Sequence, residues 1–567
     1  MTRFRLTGFI SGLLFCYAIN AQDLSNMGFK KGVKVNGGVN LSNIFYHTND
    51  TVVRRDPYQF ILTGNLNLNL FGYDAPFTFT YSNSQRSYTQ PFNRLSFNPQ
   101  YKWAKAYIGY TSMSFSPYTL SGHSFLGAGA ELSPGNWRIA LMGGQLKKAI
   151  DYDPLNSTQV IPSYKRMGYG LKIGYEKGVN GISANIFTAK DIVNSIHQTP
   201  PDGSMHPMQN VAIAISGRTV LLKYISLQGE YSVSILNGDT RMKTVTTDSA
   251  QVSSSDSPLS NQTPATRTFN AYSGGIGYQA SAYGVMLRYE RVAPDYQTLG
   301  AYYFNNDMEN ITIAPNVRLF KGKVSIAGNA GLQKNNLDKS RESTTKRWVG
   351  AGNVSFSPNE KWNMAANYSN FSTYTRMKPQ NDPFFKDDMD SLNFYQVTNS
   401  MGGTVNYTFG KKEAPHSLML NASYQEASET NPTTGDNLSE FISGAGSYSH
   451  LFPNAGISAS LSYTMNASSA PQMKSFYHGP AINISKTFFE KILRAGITSA
   501  WNKNTLNHQE GSPVFSNGLN LGYTPKSAGN IKHNFSCSIN WLQRFPSELK
   551  SEYRSEITAN LNYAFTF

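Results

Sequence analysis

Cysteine, charge and long apolar runs are all scarce in this chain, and each scarcity removes a class of protein. Among 567 residues only Cys16 and Cys537 are cysteines. If the N-terminal segment is removed, Cys537 stands alone, which excludes an intrachain disulfide and a Cys-rich metal site. Charged residues make up 15% of the chain, against about 25% in an average soluble protein. The apolar fraction does not rise in compensation: hydrophobic residues are 40% and the mean hydropathy is −0.39. This profile fits neither a helical membrane protein nor a typical cytosolic enzyme. Beyond residue 21 no apolar run approaches the ~18 residues of a spanning helix, so a membrane reading must be a β reading. Nine histidines are scattered without His-x-x-x-His, and Gly-x-Ser-x-Gly and Walker-type loops are absent, so hydrolase and nucleotide-binding motifs fail.

What replaces the charge is Ser, Thr, Asn, Gly and aromatics, the last at 13%. The N-terminus reads as a secretory signal peptide over residues 1–21. Arg3 and Arg5 precede an apolar stretch from Phe9 to Tyr17, and Ile19-Asn20-Ala21 offers cleavage before Gln22. Phe15 before Cys16 does not suit a lipobox. Residues 22–31 form a short periplasmic segment, too short for a folded plug or a periplasmic module, and 32–567 read as a single barrel domain.

From about Val33 onward the pattern has period two. Ile557, Ala559, Leu561, Tyr563, Phe565 and Phe567 alternate with small or polar residues, as do Leu62, Leu66, Leu68 and Leu70, and Ile457, Ala459, Leu461 and Tyr463. Brief turns, such as Ser133–Asn136 and Lys321–Lys323, alternate with polar stretches of about ten residues or more. Aromatics recur just before the brief turns (Tyr175, Tyr278, Phe320, Phe356, Phe409, Phe452, Phe489 and Tyr523), as a membrane interface selects. The expectation is an all-β fold: a large transmembrane antiparallel barrel of about 26 strands, with short periplasmic turns and long extracellular loops. In the hairpin Gln209–Leu236 the turn is placed near Lys223 and Tyr224 because Leu222–Ser226 parallels Phe320–Ser325.

The signal peptide ending in Ala-Gln, the hairpin series and the aromatic terminal strand resemble an outer-membrane β-barrel protein of the Bacteroidota type, over essentially the whole mature chain. The resemblance implies no particular substrate. It implies insertion by the barrel-assembly machinery, with Tyr563, Phe565 and Phe567 as the assembly signal. Asp50-Thr51-Val52, Asp248-Ser249-Ala250 and Asp390-Ser391-Leu392 look like O-glycosylation sequons of that group, so Thr51, Ser249 and Ser391 are candidate acceptors.

Other candidates carry bland readings beside sharp ones. Ser121-Gly122-His123-Ser124 could supply a nucleophile and a base but lies in an expected loop with no acid partner; loop polarity explains it. Asp382, Asp387, Asp388 and Asp390 could bind Ca²⁺ or form a solvated acidic loop, and their spacing is not that of an EF-hand. Lysines at the brief turns, including Lys177, Lys223, Lys321 and Lys526, suit anionic headgroups, so nucleic acid is not needed to explain the net charge of +15. Arg54, Arg55, Lys339, Arg341, Lys346 and Arg347 in long loops could face anionic glycolipid. Inward faces read mainly as Ser, Thr, Asn and Gly, which disfavours a dedicated anion channel.

A barrel this wide needs something in its lumen. The Asn237–Arg267 loop, with 12 Ser/Thr among 31 residues, is too polar to pack. Two loops differ: Ala293–Asp307 carries Tyr296, Leu299, Tyr302, Tyr303 and Phe304, and Tyr374–Ser391 carries Met377, Phe384, Phe385 and Met389. Their aromatics could pack loop on loop, fold inward as a constriction, or dock a partner or glycan. The leading functional expectation is a passive or ligand-gated pathway for polar solutes. The alternative is a noncatalytic scaffold or accessory subunit of an outer-membrane assembly, secretion or uptake complex, joined by a plug or capping protein. Neither reading involves an enzyme activity, a cofactor, a metal or a nucleic acid.

Overall fold

The computed structural model describes residues 33–50, 55–70, 73–83, 94–154, 161–201, 203–242, 263–302, 305–340, 346–370, 373–376, 394–431, 435–470, 473–526, 529–548 and 551–567. Alternation of large apolar with small polar residues leaves each segment one face for lipid and one for water, and extended backbone is the conformation that separates them. The chain forms β1 (Val33–Thr48), β2 (Tyr58–Leu70), β3 (Tyr73–Ser82), β4 (Arg94–Phe97), β5 (Gln100–Tyr101), β6 (Ala104–Ser114), β7 (Ser121–Leu132), β8 (Trp137–Lys147), β9 (Lys165–Lys177) and β10 (Asn180–Ile192). It continues with β11 (Gln209–Leu221), β12 (Ile225–Asn237), β13 (Thr266–Gln279), β14 (Tyr283–Val292), β15 (Met308–Leu319), β16 (Val324–Lys334), β17 (Lys346–Asn359), β18 (Trp362–Ser369), β19 (Thr373–Arg376) and β20 (Phe394–Lys411). The remainder is β21 (Ala414–Asn431), β22 (Gly435–Phe452), β23 (Ile457–Ala470), β24 (Met473–Phe488), β25 (Leu493–Leu506), β26 (Gln509–Glu510), β27 (Val514–Tyr523), β28 (Lys532–Arg544) and β29 (Arg554–Thr566).

Three staves are interrupted. β4 and β5 both bridge β3 and β6, β19 extends β18 along β20, and β26 shares β25 with β27. The pieces therefore make a closed antiparallel barrel of 26 staves. Closure comes from β29 pairing with β28 on one side and β1 on the other. Phe567 and Gly37 exchange both backbone hydrogen bonds at 3.0 Å, so the last residue completes the ring. A closed ring leaves no edge strand unpaired, which backbone in lipid requires. No helix among the described residues is long and apolar enough to cross a membrane.

The Gln209–Leu236 hairpin turns at Leu222–Tyr224, as its likeness to Phe320–Ser325 suggests. Leu222 and Lys223 have φ of 52° and 66°, and Phe320 and Lys321 have 53° and 57°. Two successive left-handed residues give the turn twist that matches antiparallel strands. The ladders shift register at Phe356/Asn359, Val397/Asn399, Ser112/Ser114 and Gln145/Lys147, and two gaps in pairing that leave the register unchanged fall at Pro315 and Pro480, which have no N–H to donate.

Two expectations need correction. Connections on the long side are not uniformly long: β21 and β22 are joined across residues 432–434, and β23 and β24 across 471–472. The reason is strand length. β20, β21 and β22 each run 18 residues, so sequence expected to be loop continues the ladder. The inward faces are also not uniformly small and neutral. From β6 to β14 they include Lys105, Glu131, Lys172, Glu230, Arg288 and Glu290, and Glu176 is clamped between Arg138 at 3.1 Å and Arg218 at 2.9 Å. Both signs are present, so this wall makes no anion filter.

Candidate lumen constriction

Two connections on the long-loop side turn back onto the inner wall. The first, Phe115–Leu120 between β6 and β7, is a tight turn around Pro117: Phe115 N–H donates to Leu120 O at 2.8 Å, and Tyr118 N–H to the Ser116 hydroxyl at 3.0 Å. The second, Ala293–Asp307 between β14 and β15, starts with Tyr296 N–H donating to Ala293 O at 3.2 Å and closes with Asp307 N–H on the same carbonyl at 3.2 Å. The two are tied to each other. Ser121 N–H donates to Gly300 O at 2.9 Å, the Tyr296 hydroxyl to Tyr118 O at 2.6 Å, and the Thr298 hydroxyl to Thr119 O at 2.8 Å. Gly300 permits this approach, because a Cβ there would lie 2.5 Å from Thr119 O.

The pair is then fastened to five staves of the wall. Lys172 on β9 donates to Phe115 O at 2.7 Å, and the Thr119 hydroxyl to Asn185 Oδ1 on β10 at 2.6 Å. Asn210 on β11 accepts Leu299 N–H at 3.1 Å. On β12, Ser232 meets the Tyr296 hydroxyl at 3.0 Å, Ser234 donates to Gln297 O at 2.7 Å, and Glu230 accepts from Ser116. On β14, Glu290 accepts the Tyr118 hydroxyl at 2.6 Å. These wall residues alternate with the outward row of Leu171, Ile186, Ile213, Tyr231 and Leu287, so the seat lies on the lumen side.

Apolar contact seals the polar seat. Phe115, Leu120 and Leu299 join Met113, Phe125, Leu146 and Phe187 in one buried cluster, and Tyr118 and Tyr296 pack with Ala271 and Val292 in another. Tyr296 is fully buried. Burying each such side chain is worth about 1.5–3 kcal/mol, and each satisfied buried hydrogen bond adds about 1 kcal/mol. Burial lifts the Tyr296 hydroxyl to about 12, and burial together with the Glu290 carboxylate raises that of Tyr118 further. Both hydroxyls therefore remain neutral donors at ordinary pH.

The named candidates sort as follows. Tyr296 is buried against the wall, while Tyr302 is 48% exposed, stacked on His123 at 4.0 Å. Tyr303, Phe304, Phe384 and Phe385 lie outside the described residues, as do Thr51, Ser249, Ser391 and the Asp382–Asp390 group. Asp50, beside Thr51, accepts Arg554 at 2.7 Å. The Ser121–Ser124 quartet is not loop: it opens β7, with the buried His123 ring at 2.8 Å from the Ser124 carbonyl. Tyr563 packs on Phe535 at 4.7 Å, and Phe565 on Phe567 at 5.4 Å, along the outward face of the closing strand. No group of three His, Cys, Asp or Glu suited to a metal occurs among the described residues. Sequence reasoning missed the Phe115–Leu120 turn, Asn185, Asn210, Lys172, Glu230 and Glu290. The available signal was a bulky polar or charged residue on an inward face otherwise made of small ones, and two aromatics in a very short connection.

On the wall from β20 to β29 inward side chains bond across to the next strand instead. Ser423 meets Ser443 at 2.6 Å, Ser458 meets Ser485 at 2.7 Å, Asn483 donates to Thr498 at 3.1 Å and Asn560 to Ser538 at 3.2 Å.

Neither any family model nor any curated protein sequence matches this chain. Among solved structures it is similar to the P pilus usher (PapC) translocation pore, with 8% identity, a TM-score of 0.35 and coverage of 94% of this chain and 98% of that one. It is also similar to the ferric enterobactin receptor PfeA of Pseudomonas aeruginosa, with 9% identity, a TM-score of 0.40 and coverage of 94% and 81%. A third likeness is to OccAB2 of Acinetobacter baumannii, with 9% identity, a TM-score of 0.28 and coverage of 69% and 98%. The barrel assignment rests on this chain's own closure and face alternation.

Proposed function

We propose that the protein is an outer-membrane barrel that passes polar solutes through a lumen narrowed from one side. The observation that carries this reading is the seated loop pair. A wet inner face lines the ring, and two connections are fastened across β9–β14 by buried hydrogen bonds, which in this reading narrows the lumen from that side. In this reading residues 1–21 direct export, the short turns face the periplasm, and Tyr563, Phe565 and Phe567 are read by the barrel-assembly machinery. No catalytic step, cofactor or nucleic acid enters it. The test is conductance of the purified full-length chain in planar bilayers, with liposome swelling to size the solutes admitted. Stable single-channel steps and uptake of small sugars are expected; a folded chain with neither would overturn the pathway.

One observation favours the alternative of a scaffold or accessory subunit. Tyr302, stacked on the buried His123 with its hydroxyl on Ser124 N–H, leaves its other ring face to solvent, as a capping or plug protein would use. A stoichiometric partner in pull-downs from native membranes, lost on Tyr302→Ser, would put that reading first.

A further inference from the structure

Arg291, Glu309, Lys334 and Lys346 stand directly opposite one another in succession across β14, β15, β16 and β17. All four lie at or next to the strand ends on the long-connection rim. They share the outward face, since Arg291 follows the inward Glu290 and continues the row Tyr283, Val285, Leu287 and Tyr289. Lys334 is paired in register with Lys346, and like charges directly opposite one another are unfavourable unless something neutralises them. Among the described residues neither lysine has an ion-pair partner. Glu309 does not serve as one: its carboxylate accepts the Tyr289 hydroxyl at 2.7 Å. Arg291 is held over the Tyr272 ring, 6.0 Å from its centre.

One step toward the membrane, the register places Tyr289, Ile311, Leu332 and Trp348 in a parallel row. Ile311 is 52% exposed, Leu332 50% and Trp348 72%. Three cations against one carboxylate thus sit above an uncovered apolar ledge continuous with the lipid-facing wall. A free anion would use the first row only; an anionic amphiphile uses both. We propose that this face binds the phosphorylated headgroup of an outer-leaflet glycolipid, with phosphate at Arg291, Lys334 and Lys346 and acyl chains along Ile311, Leu332 and Trp348. The proposal rests on the outer-membrane reading, with the long-connection rim facing outward.

The experiment measures binding of diphosphoryl lipid A to the full-length barrel in dodecyl maltoside micelles by native mass spectrometry. Heat-modifiability and bilayer conductance are read on the same preparations. Saturable binding is expected, weakened about tenfold or more in Lys334→Glu/Lys346→Glu and left intact in Lys474→Glu/Lys503→Glu, an equal charge change elsewhere. Dephosphorylated lipid A should bind weakly, and inorganic phosphate should not displace the glycolipid. Trp348→Ala should weaken binding with every charge in place, which tests the ledge should the charge variant misfold. Equal loss in both lysine pairs, displacement by inorganic phosphate, or an unaffected Trp348→Ala would overturn the site. Absent binding with normal conductance would sink the site and leave the pathway standing; binding without conductance would support the site and sink the pathway.

Discussion

Two walls of one barrel solve the problem of a wide lumen differently. From β9 to β14 Lys172, Asn185, Asn210, Glu230 and Glu290 face inward, and each bonds a backbone or hydroxyl group of the two returning connections. From β20 to β29 inward groups are satisfied by the neighbouring strand: Ser423 by Ser443, Ser458 by Ser485, and even the charged Arg544 by Glu556 at 3.8 Å. The backbone is the same in both. What differs is whether an inward side chain can be satisfied by its neighbour strand or must find a partner farther in. A serine beside a serine closes its own account, whereas Asn210 or Glu290 holds a loop.

The largest expected effect comes from removing the apolar seal. Tyr296→Ala with Leu299→Ala should cost about 4 kcal/mol or more of loop docking, raising conductance and the solute size limit with heat-modifiability unchanged. Ser458→Ala with Ser485→Ala on the other wall should leave both readings where they were. Equal responses from the two pairs would erase the distinction between the walls.

Charge insertion comes next. Leu561→Arg faces lipid and should destabilise the inserted barrel by about 2–4 kcal/mol, read as a loss of folded, heat-modifiable protein, whereas Asn560→Arg faces water and should be tolerated. Ser232→Arg, also inward but under Tyr296, should fold yet open the lumen. If Asn560→Arg misfolds as badly as Leu561→Arg, the face assignment is wrong. A smaller change is Tyr118→Phe, which removes one bond to Glu290 worth about 1–2 kcal/mol and should raise the frequency of open bursts in single-channel records.

The smallest effect is with pH. The Tyr296 hydroxyl is raised from 10.0 to about 12, so its contribution to the seat is fully present below pH 10 and is lost as pH rises through about 12. Conductance should therefore be flat on the mildly alkaline side and climb only above pH 10; a climb below it would locate the switch in another group.

The alternation of Leu561 with Asn560, the hairpin turns and the closing strand could be read from sequence because a lipid face and a water face impose a period on the chain. The short connections at 432–434 and 471–472 could not. Beyond the lipid band no membrane selects a continuous apolar face, so the sequence Glu426-Ala427-Ser428-Glu429-Thr430 carries no alternation although it continues β21. The cluster at Tyr296 was visible as aromatics in a loop, but its seat was not. Asn210 and Leu299 are 89 positions apart and meet because the connection folds back onto β11, not by proximity in sequence.

The 18-residue staves β20–β22 have one more consequence. At ~3.3 Å per residue and a tilt near 45°, each rises about 42 Å, against an apolar band of about 25 Å. The surplus stands outside the bilayer as paired ladder up to Asn431 and Gly435. A protease needs unpaired backbone to thread its cleft, and this parapet withholds it. Surface digestion of intact cells should therefore spare the paired segments of β21 and β22 up to Asn431 and Gly435.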